Sequence, residues 1–249
     1  MGGGRGIGEA VARVMAATGW SVTVADRLAE LTGSVAESLN LAGFDAYAET
    51  ADITNPDDLN SLAERLCRRT GAHGIKAAVN CVGIFDERRG ILKTDLASFK
   101  RVFDVNVTGA FLFSQAIEPL LAAHASLIHI GSVNGSEAGA ELGAYKASKA
   151  ALHMLARCMA LELASDPRRI RVNVVAPGWV DTPGERLVLQ PDKKTPGSHP
   201  LDDPESARWI PMGRRTEAIE VANSVAFLCS DLASGITGQV LYVDCGITA

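Results

Sequence analysis

The stretch L-I-H-I-G-S-V-N-G-S-E-A-G-A-E-L-G-A-Y-K-A-S-K, residues 127–149, holds the pattern around which the rest of the chain is organised. An apolar, strand-like run ends at Ser132, and Tyr145 and Lys149 open a long alanine-rich segment that is typical of a helix. Residues four apart on a helix share one face, so this phenol and this ammonium point the same way. The pattern predicts a strand, a loop and a helix that together present a hydroxyl, a phenol and an ammonium.

These three groups suit proton transfer to or from a carbonyl or alcohol oxygen. A tyrosine phenol titrates at about 10, and a neighbouring ammonium favours the phenolate and lowers its pKa. A neutral hydroxyl such as that of Ser132 can donate a hydrogen bond to a developing alkoxide. Alone, the step from Tyr145 to Lys149 more often marks a pair on a helix surface, so the interpretation depends on the other motifs.

Glycines open the chain ahead of a predicted helix that ends near Thr18. The spacing G-x-x-x-G-x-G at Gly2, Gly6 and Gly8 lets the backbone approach a phosphate at the N-terminus of that helix. The G-x-G-x-x-G fingerprint is not met in any register. A flexible, tag-like start is the alternative to phosphate binding.

Asp26 ends a short β-type run, residues 21–25. An acidic residue at a strand end, about 20 positions after such glycines, can accept hydrogen bonds from adenosine ribose hydroxyls, and it repels a 2′-phosphate. Arg27 follows directly, and its guanidinium could serve that phosphate instead. On balance the pair favours NAD over NADP as the cofactor.

Strand-like runs alternate with helix-like segments along the whole chain. Strands are predicted at residues 21–25, 44–49, 75–80, 171–175 and 239–243 and before Gly131, and one of the helices, over 95–122, carries Asn106. Alternation of this kind predicts an α/β fold with a doubly wound parallel sheet, here in a single domain over residues 1–249. Ligands of such sheets lie at the carboxyl ends of strands, which is where Asp26, Asn80, Ser132 and Pro177 fall.

Residues 183–212 break this pattern, with six prolines and several charges. Long irregular excursions in compact domains are usually functional. We expect a substrate lid here, and a plain exposed insertion is the alternative.

Composition narrows the class of protein. Hydrophobic residues make up 47% and charged residues 21% of the chain, as in an ordinary globular protein. The net charge of -5 and the lack of a basic run argue against a nucleic-acid partner.

No apolar run reaches the roughly 18 residues of a membrane span. Five scattered cysteines indicate a reduced, cytoplasmic protein, and no histidine spacing indicates a metal site, so we expect His129 to be a hydrogen-bonded core residue.

Taken together, these residues make the chain resemble a short-chain dehydrogenase/reductase of the 3-oxoacyl-carrier-protein reductase type over essentially its whole length. The matches are the glycine loop T-G-x-x-x-G-x-G at Gly2, Gly6 and Gly8, N-N-A-G at Asn80 and Gly83, P-G-x-x-x-T at Pro177, Gly178 and Thr182, and the catalytic tetrad at Asn106, Ser132, Tyr145 and Lys149. The resemblance implies a Rossmann-type, three-layer fold and an NAD(P)-dependent oxidoreductase that acts on a small alcohol or ketone.

The resemblance also implies a role for each matched residue. Tyr145 would be the general acid and base, Ser132 would orient and polarise the carbonyl, and Asn106 would position a water of a proton relay. Lys149 would lower the pKa of Tyr145 and hold the nicotinamide ribose. The implied cofactor contacts are Gly2, Arg5, Gly6, Ile7, Gly8, Asp26, Arg27, Asp52, Ile53, Asn80, Gly83, Tyr145, Lys149, Pro177, Gly178, Val180 and Thr182. Proteins of this type are usually tetrameric through the helices of Tyr145 and Asn106, so a homotetramer, or a homodimer, is expected.

The sequence departs from the family pattern in three places. The chain starts at the glycine loop, so the usual first strand of the sheet has no counterpart in it. Cys81 and Val82 replace the second asparagine and the alanine of N-N-A-G, and Cys245 replaces a glycine near the end. Two alternatives to an active enzyme follow, which are a non-catalytic, redox-sensing dinucleotide-binding module and an inactive truncated chain. Candidate substrate contacts are Ile84, Phe85, Asn134, Glu141, Trp179, Leu187 and Trp209.

Overall fold

The computed structural model describes residues 1–85, 88–188 and 204–249, without the side chains of residues 187, 188, 204 and 206. Within these ranges there are six strands, β1 (Val22–Asp26), β2 (Ala46–Thr50), β3 (Ile75–Asn80), β4 (Leu121–Ile130), β5 (Arg171–Pro177) and β6 (Val240–Val243). The α-helices are α1 (Gly6–Ala17), α2 (Ala29–Leu41), α3 (Pro56–Thr70), α4 (Leu96–Phe103), α5 (Gly109–Ile117), α6 (Gly143–Ser165), α7 (Pro183–Val188) and α8 (Ala218–Cys229).

All strand pairs are parallel. β1 pairs with β2, and β3, β4, β5 and β6 pair in that order. Each connection between paired strands passes through at least one helix, as a parallel sheet requires. The doubly wound α/β architecture predicted from the alternation of elements is therefore confirmed.

No strand within the described ranges lies between β1 and β3. Residues Met1 to Gly3 run there instead, and they hydrogen-bond to both sides. The Gly3 amide donates to Ala25 O (3.1 Å) within β1, and the Cys81 amide, just after β3, donates to Met1 O (2.9 Å). These bonds satisfy backbone groups that would otherwise be left open at the edges of the two sheets.

Helices cover both faces of the sheet and give three layers. On one face, Val11 and Met15 of α1 and Val221 and Val225 of α8 pack on Ile128 and neighbouring strand residues. On the other face, α3, α5 and α6 pack on the opposite side of the same strands, with buried Leu59, Leu62, Phe113, Ile117, Ala156 and Ala160. The alternation of side chains along a strand, one to each face, explains why β4 is apolar throughout its C-terminal half.

The helix predicted over residues 95–122 is wrong in its extent. α4 passes into a π-helical turn at Asp104–Thr108, α5 ends at Ile117, and Leu121 already begins β4. Residues 121–126 are rich in alanine, so their sequence shows neither the helical nor the strand periodicity clearly. Pairing with β3 makes them part of a strand. The π-helical turn carries Asn106, and such turns recur at functional sites.

Half of the predicted lid, residues 189–203, lies outside the described residues. Its described parts include α7 and a 3₁₀ turn at Pro204–Ala207. None of the helices in the described ranges combines the length and the apolar character that a membrane span requires. In the same ranges, no three His, Cys, Asp or Glu side chains gather as ligands of a metal ion.

Candidate active site

One cleft of about 960 Å³ runs along the carboxyl ends of the strands. Almost all of the predicted cofactor and catalytic residues line it, namely Gly2, Arg5, Gly6, Ile7, Gly8, Asp26, Arg27, Asp52, Ile53, Gly83, Ser132, Tyr145, Lys149, Pro177, Gly178, Val180 and Thr182. Asn80 and Asn106 do not line it, because they are buried behind the loop that follows β3. The tertiary structure thus gathers at one edge of the sheet the residues that the motifs singled out.

The glycine loop forms a tight cradle at the start of α1. Gly2 and Gly6 have φ of 76° and 58°, in the left-handed region, where glycine carries no penalty. A Cβ on Gly8 would lie 1.9 Å from Gly2 O. The helix begins at Gly6 without a side-chain cap, so its first N–H groups are available to an anion. This geometry fits the diphosphate of a dinucleotide.

Asp26 stands beside that cradle at the end of β1. Its carboxylate accepts weakly from the Gly4 amide (3.4 Å) and the Leu28 amide (3.3 Å). The Thr54 hydrogen bonds, together with the charge of Arg27, lower the pKa of Asp52, which lines the same cleft. The half-buried carboxylate of Asp26 is therefore in contact with the glycine loop through the Gly4 amide.

Ser132, Tyr145 and Lys149 come together at the other end of the cleft. Ser132 follows β4, and its hydroxyl accepts from the Asn134 amide (3.2 Å). Lys149 is 3% exposed, and its Nζ donates to Ile130 O (2.8 Å). The same Nζ lies 5.8 Å from the centre of the Tyr145 ring. The sequence prediction that these three groups share one site is consistent with this arrangement.

The pKa values of this site differ from the sequence expectation. Burial raises the pKa of Tyr145 to about 12, the Ser132 hydroxyl lowers it in part, and the Glu185 carboxylate raises it further. Burial lowers the pKa of Lys149 to about 8. The protein's own groups thus keep the phenol protonated, and the lowering expected from Lys149 does not outweigh the loss of solvation.

Asn106 braces the loop after β3 rather than facing the cleft. Its Nδ2 donates to Ile84 O (2.8 Å) and Ser148 Oγ (2.9 Å), and its Oδ1 accepts from the Ile84 amide (2.8 Å). Both N–H groups of the side chain are therefore used. Water positioning by Asn106 stays a prediction. Atoms of Asn106 other than these N–H groups would have to bind the water.

A buried chain of hydrogen bonds through His129 holds the side chain of Asn80 in place. The Ser114 hydroxyl donates its proton to Ala110 O (2.7 Å), so it can only accept from His129 Nε2 (3.3 Å). Nδ1 of the ring is then the acceptor for Asn80 Nδ2 (3.5 Å), which leaves Asn80 Oδ1 for the Val82 amide (3.0 Å). His129 is thus a neutral, hydrogen-bonded core residue, as expected, and it helps to fix the loop at Val82.

His153 is a site residue that the sequence analysis missed. It lies four residues after Lys149 on the same helix face and is 6% exposed. A Cβ on Gly131 or Gly135 would lie 2.4 or 2.5 Å from its ring, so the ring fills the space beneath the Ser132 loop. Its Nε2 has no hydrogen-bond partner in the described part of the chain. The two glycines that flank Ser132 were the available signal.

We expect acid to destabilise the protein through these two histidines. Burial lowers the pKa of His129 and of His153 from 6.5 to about 4. Below pH 6.5 the unfolded chain binds protons that the folded state does not, so stability is lost as the pH falls, by about 2 kcal/mol for each histidine on reaching pH 5. Urea unfolding at pH 7.5, 6 and 5 measures this loss.

The variant His153→Leu is expected to remove about half of that pH dependence, since one of the two groups is gone. His73, which is exposed, is the matched control, and His73→Leu should leave the slope unchanged. A free energy of unfolding that is constant between pH 6.5 and 5 would contradict the assignment.

Aromatic side chains line the cleft that contains Tyr145. Phe85 meets the Tyr145 ring edge-on at 5.7 Å, and the Trp179 and Trp209 rings lie 5.9 Å apart. Trp179 donates from Nε1 to Glu185 Oε1 (3.0 Å). Ile84, Asn134 and Glu141 also line the cleft, as predicted, whereas the Leu187 side chain lies outside the described residues. The substrate end therefore combines flat apolar walls with a few polar groups.

Comparisons with known proteins agree with this site. The family described as enoyl-(acyl carrier protein) reductase matches residues 2–248. Cis-4-hydroxycyclohexanecarboxylate dehydrogenase of Sinomonas cyclohexanicum is 34% identical over 252 residues, covering 100% of this chain and 94% of the relative. The 3-oxoacyl-[acyl-carrier-protein] reductase of Aquifex aeolicus is 32% identical, over 98% of this chain and 93% of its own length.

A solved structure shows the same fold with a cofactor. The short chain dehydrogenase of Burkholderia cenocepacia in complex with NADP superposes with a TM-score of 0.86 at 29% identity, over 100% of this chain and 96% of that one. The chain therefore belongs to the short-chain dehydrogenase/reductase family, and it is an oxidoreductase of the Rossmann type that works with a nicotinamide cofactor on an alcohol or ketone.

Proposed function

We propose that the protein is an NAD-dependent dehydrogenase of a secondary alcohol on an alicyclic ring, with Tyr145 as the general acid and base. The observation that carries the proposal is the position of Ser132, Tyr145 and Lys149 in one cleft with the glycine cradle and Asp26. A cofactor-binding protein without catalysis has no use for these three groups together.

The residues of the cleft fit a nicotinamide dinucleotide along its length. Gly2, Gly6 and Gly8 with the N-terminus of α1 would hold the diphosphate, and Asp26 the adenosine ribose. Lys149 would hold the nicotinamide ribose. When bound, this cofactor supplies or accepts the hydride.

The protein's own contribution is the proton. With a pKa of about 12, the Tyr145 phenol is protonated at neutral pH and can donate to the carbonyl oxygen of a ketone. In the direction of alcohol oxidation, the corresponding phenolate takes the proton of the hydroxyl. The Ser132 hydroxyl donates to the same oxygen and stabilises its charge. The Lys149 ammonium favours the phenolate over the phenol.

A preference for NAD follows from the charge at the ribose end. The Asp26 carboxylate lies next to the glycine loop, where it accepts from ribose hydroxyls and repels a 2′-phosphate. Arg5 and Arg27 also line the cleft and are the candidates for a phosphate ligand, but the charge of Arg27 also acts on the carboxylate of Asp52 and lowers its pKa.

A ring alcohol is supported by the walls of the cleft. Phe85 lies beside Tyr145, and Trp179 and Trp209 line the same cleft; aromatic walls of this kind suit a compact saturated ring. The relative from Sinomonas cyclohexanicum is named for a ring hydroxyl substrate.

The test is a titration with NADH and NADPH side by side, with Trp179 fluorescence as the signal and cyclohexanol oxidation as the assay. We expect NADH to bind at least ten times more tightly than NADPH, and Asp26→Ala to bring the two affinities together. Asp57→Ala, an exposed carboxylate on α3, is the matched control. Tighter NADPH binding to the unaltered protein would contradict the cofactor assignment, and cofactor binding with no turnover of any ring alcohol would favour the sensor hypothesis.

We further propose a cytoplasmic homotetramer, or a homodimer, assembled through α5 and α6. Phe111, Met154 and Leu161 on these helices are 44%, 56% and 77% exposed, and exposed large apolar side chains suit a contact with a second copy of the chain. All five cysteines are free, as suits a reducing compartment. Light scattering on the purified protein measures the assembly.

A further inference from the structure

We propose that Lys146 is the binding group for a carboxylate on the substrate, so that the preferred substrates are ring alcohols that carry an acid. The inference rests on the proposed function and specifies its substrate class. It starts from a side chain that the catalytic roles leave unused, although it directly follows Tyr145 and lines the same cleft.

Lys146 reaches across the cleft wall to the loop after β4. Its Nζ donates to Asn134 Oδ1 and to Glu137 O (3.4 Å). A Cβ on Gly139 would lie 3.0 Å from its Cε, so the lysine stem packs against that loop. The side chain is half-buried, and its position is fixed by the elements that also place Ser132 and Tyr145.

Within the described residues, Lys146 forms no ion pair with a carboxylate. No carboxylate oxygen in residues 1–85, 88–188 and 204–249 lies within 4.0 Å of its Nζ. The nearby Glu141 pairs with Arg88 at 3.7 Å, and both partners of Nζ are neutral oxygens. An ammonium has three N–H donors, so these two contacts leave one donor for a ligand, and neither of them is to an anionic group.

The backbone adds to this positive potential. Lys146 stands in the first turn of α6, a helix of 23 residues with no acidic residue in that turn. The N-terminus of a helix favours a negative charge, because its first N–H groups and the helix dipole are positive there. One free N–H and one net charge match a monoanion such as a carboxylate better than a phosphate dianion, which needs more donors.

The site is linked to the reacting centre through a single residue. The Asn134 amide donates to Ser132 Oγ (3.2 Å), and the Asn134 side chain accepts from Lys146. A substrate whose hydroxyl meets Ser132 and Tyr145 can therefore place an acid group at Lys146 in the same binding event. The competing role for Lys146 is that of a clamp, which holds the Ser132 loop for every substrate alike.

Matched substrates separate these two roles. The probes are the 2-, 3- and 4-hydroxycyclohexanecarboxylates and their methyl esters, which differ in charge and keep the ring hydroxyl. We expect the unaltered protein to oxidise at least one acid with a kcat/KM ten or more times that of its ester. In Lys146→Met this ratio should fall at least ten-fold, through a higher KM for the acid, and Lys146→Arg should preserve it. Lys100→Met, an exposed lysine on α4 outside the cleft, should leave the ratio unchanged.

Each outcome decides between the hypotheses. An equal loss on acids and esters in Lys146→Met would establish the clamp and overturn the proposal. Oxidation of cyclohexanol and the esters but of none of the acids would also overturn it, while the proposed dehydrogenase function would stand.

If no alcohol is oxidised with either cofactor, the proposed function fails, and binding still tests the site. Cyclohexanecarboxylate should quench Trp179 at concentrations at least ten-fold lower than cyclohexanecarboxamide, and this difference should vanish in Lys146→Met. Equal affinities for acid and amide would refute the carboxylate site.

Discussion

Replacement of Tyr145 by phenylalanine is expected to lower kcat for alcohol oxidation by about 10³-fold, within the range that general acid and base groups contribute. The change removes one oxygen, the proton donor and acceptor of the proposed reaction. The ring itself stays, with its edge-on contact to Phe85 at 5.7 Å. Lys149 keeps its hydrogen bond to Ile130 O, so the affinity for NADH should change less than about three-fold.

The measurement is kcat with saturating NAD, together with the NADH titration. Tyr47→Phe, on the exposed surface of β2, is the matched control and should retain full activity. Unchanged turnover in Tyr145→Phe would remove the phenol from the mechanism. A joint loss of turnover and of NADH binding would assign the hydroxyl a structural role instead.

A methyl group on Gly8 is expected to weaken dinucleotide binding by more than about 100-fold, because the affinity depends on a diphosphate reaching the backbone at this point. The new Cβ would lie 1.9 Å from Gly2 O. The loop cannot retreat, since a Cβ on Gly2 would lie 2.9 Å from Val82, and one on Gly3 2.8 Å from Val24. Overpacking of this kind costs about 1–3 kcal/mol in stability, so the melting temperature should fall as well.

Gly33→Ala provides the contrast for Gly8→Ala. Gly33 lies within α2, and nothing stands within 4 Å of a Cβ placed there. Alanine is the better helix former, so this variant should gain about 0.5–1 kcal/mol and bind NADH as the parent protein does. Calorimetry and the NADH titration on both variants measure the two effects. A Gly8→Ala protein with normal NADH affinity would show that the cradle does not hold the cofactor.

The alternatives to an enzyme find no support in the residues described. Ser132, Tyr145 and Lys149 converge in the cleft, as catalysis requires and a redox sensor does not. Backbone bonds from residues 1–3 join the two parts of the sheet. The comparisons place the chain with dehydrogenases and reductases over nearly its whole length. The Tyr145→Phe experiment separates a catalyst from a binding module.

Local sequence determined the fold class and the members of the site. Periods of two and of about 3.6 residues mark strands and helices because side chains alternate on a strand and recur on a helix face. Parallel strands bring their carboxyl ends to one edge of the sheet, so the sequence pattern alone was enough to place Asp26 and Ser132 in one cleft. Where the local period was weak, in residues 121–126, pairing between strands decided the outcome.

Tertiary structure alone decided the electrostatics and the supporting contacts. The phenol of Tyr145 has a raised pKa because burial removes water from it, and burial is set by elements distant in sequence. The hydrogen bonds through His129, the ring of His153 under the Ser132 loop and the neutral partners of Lys146 depend on neighbours that no spacing rule supplies. The sequence by itself determined which chemical groups meet at the edge of the sheet, and only packing decided their charge states and partners, because solvation and hydrogen bonding depend on every atom that surrounds a group in space.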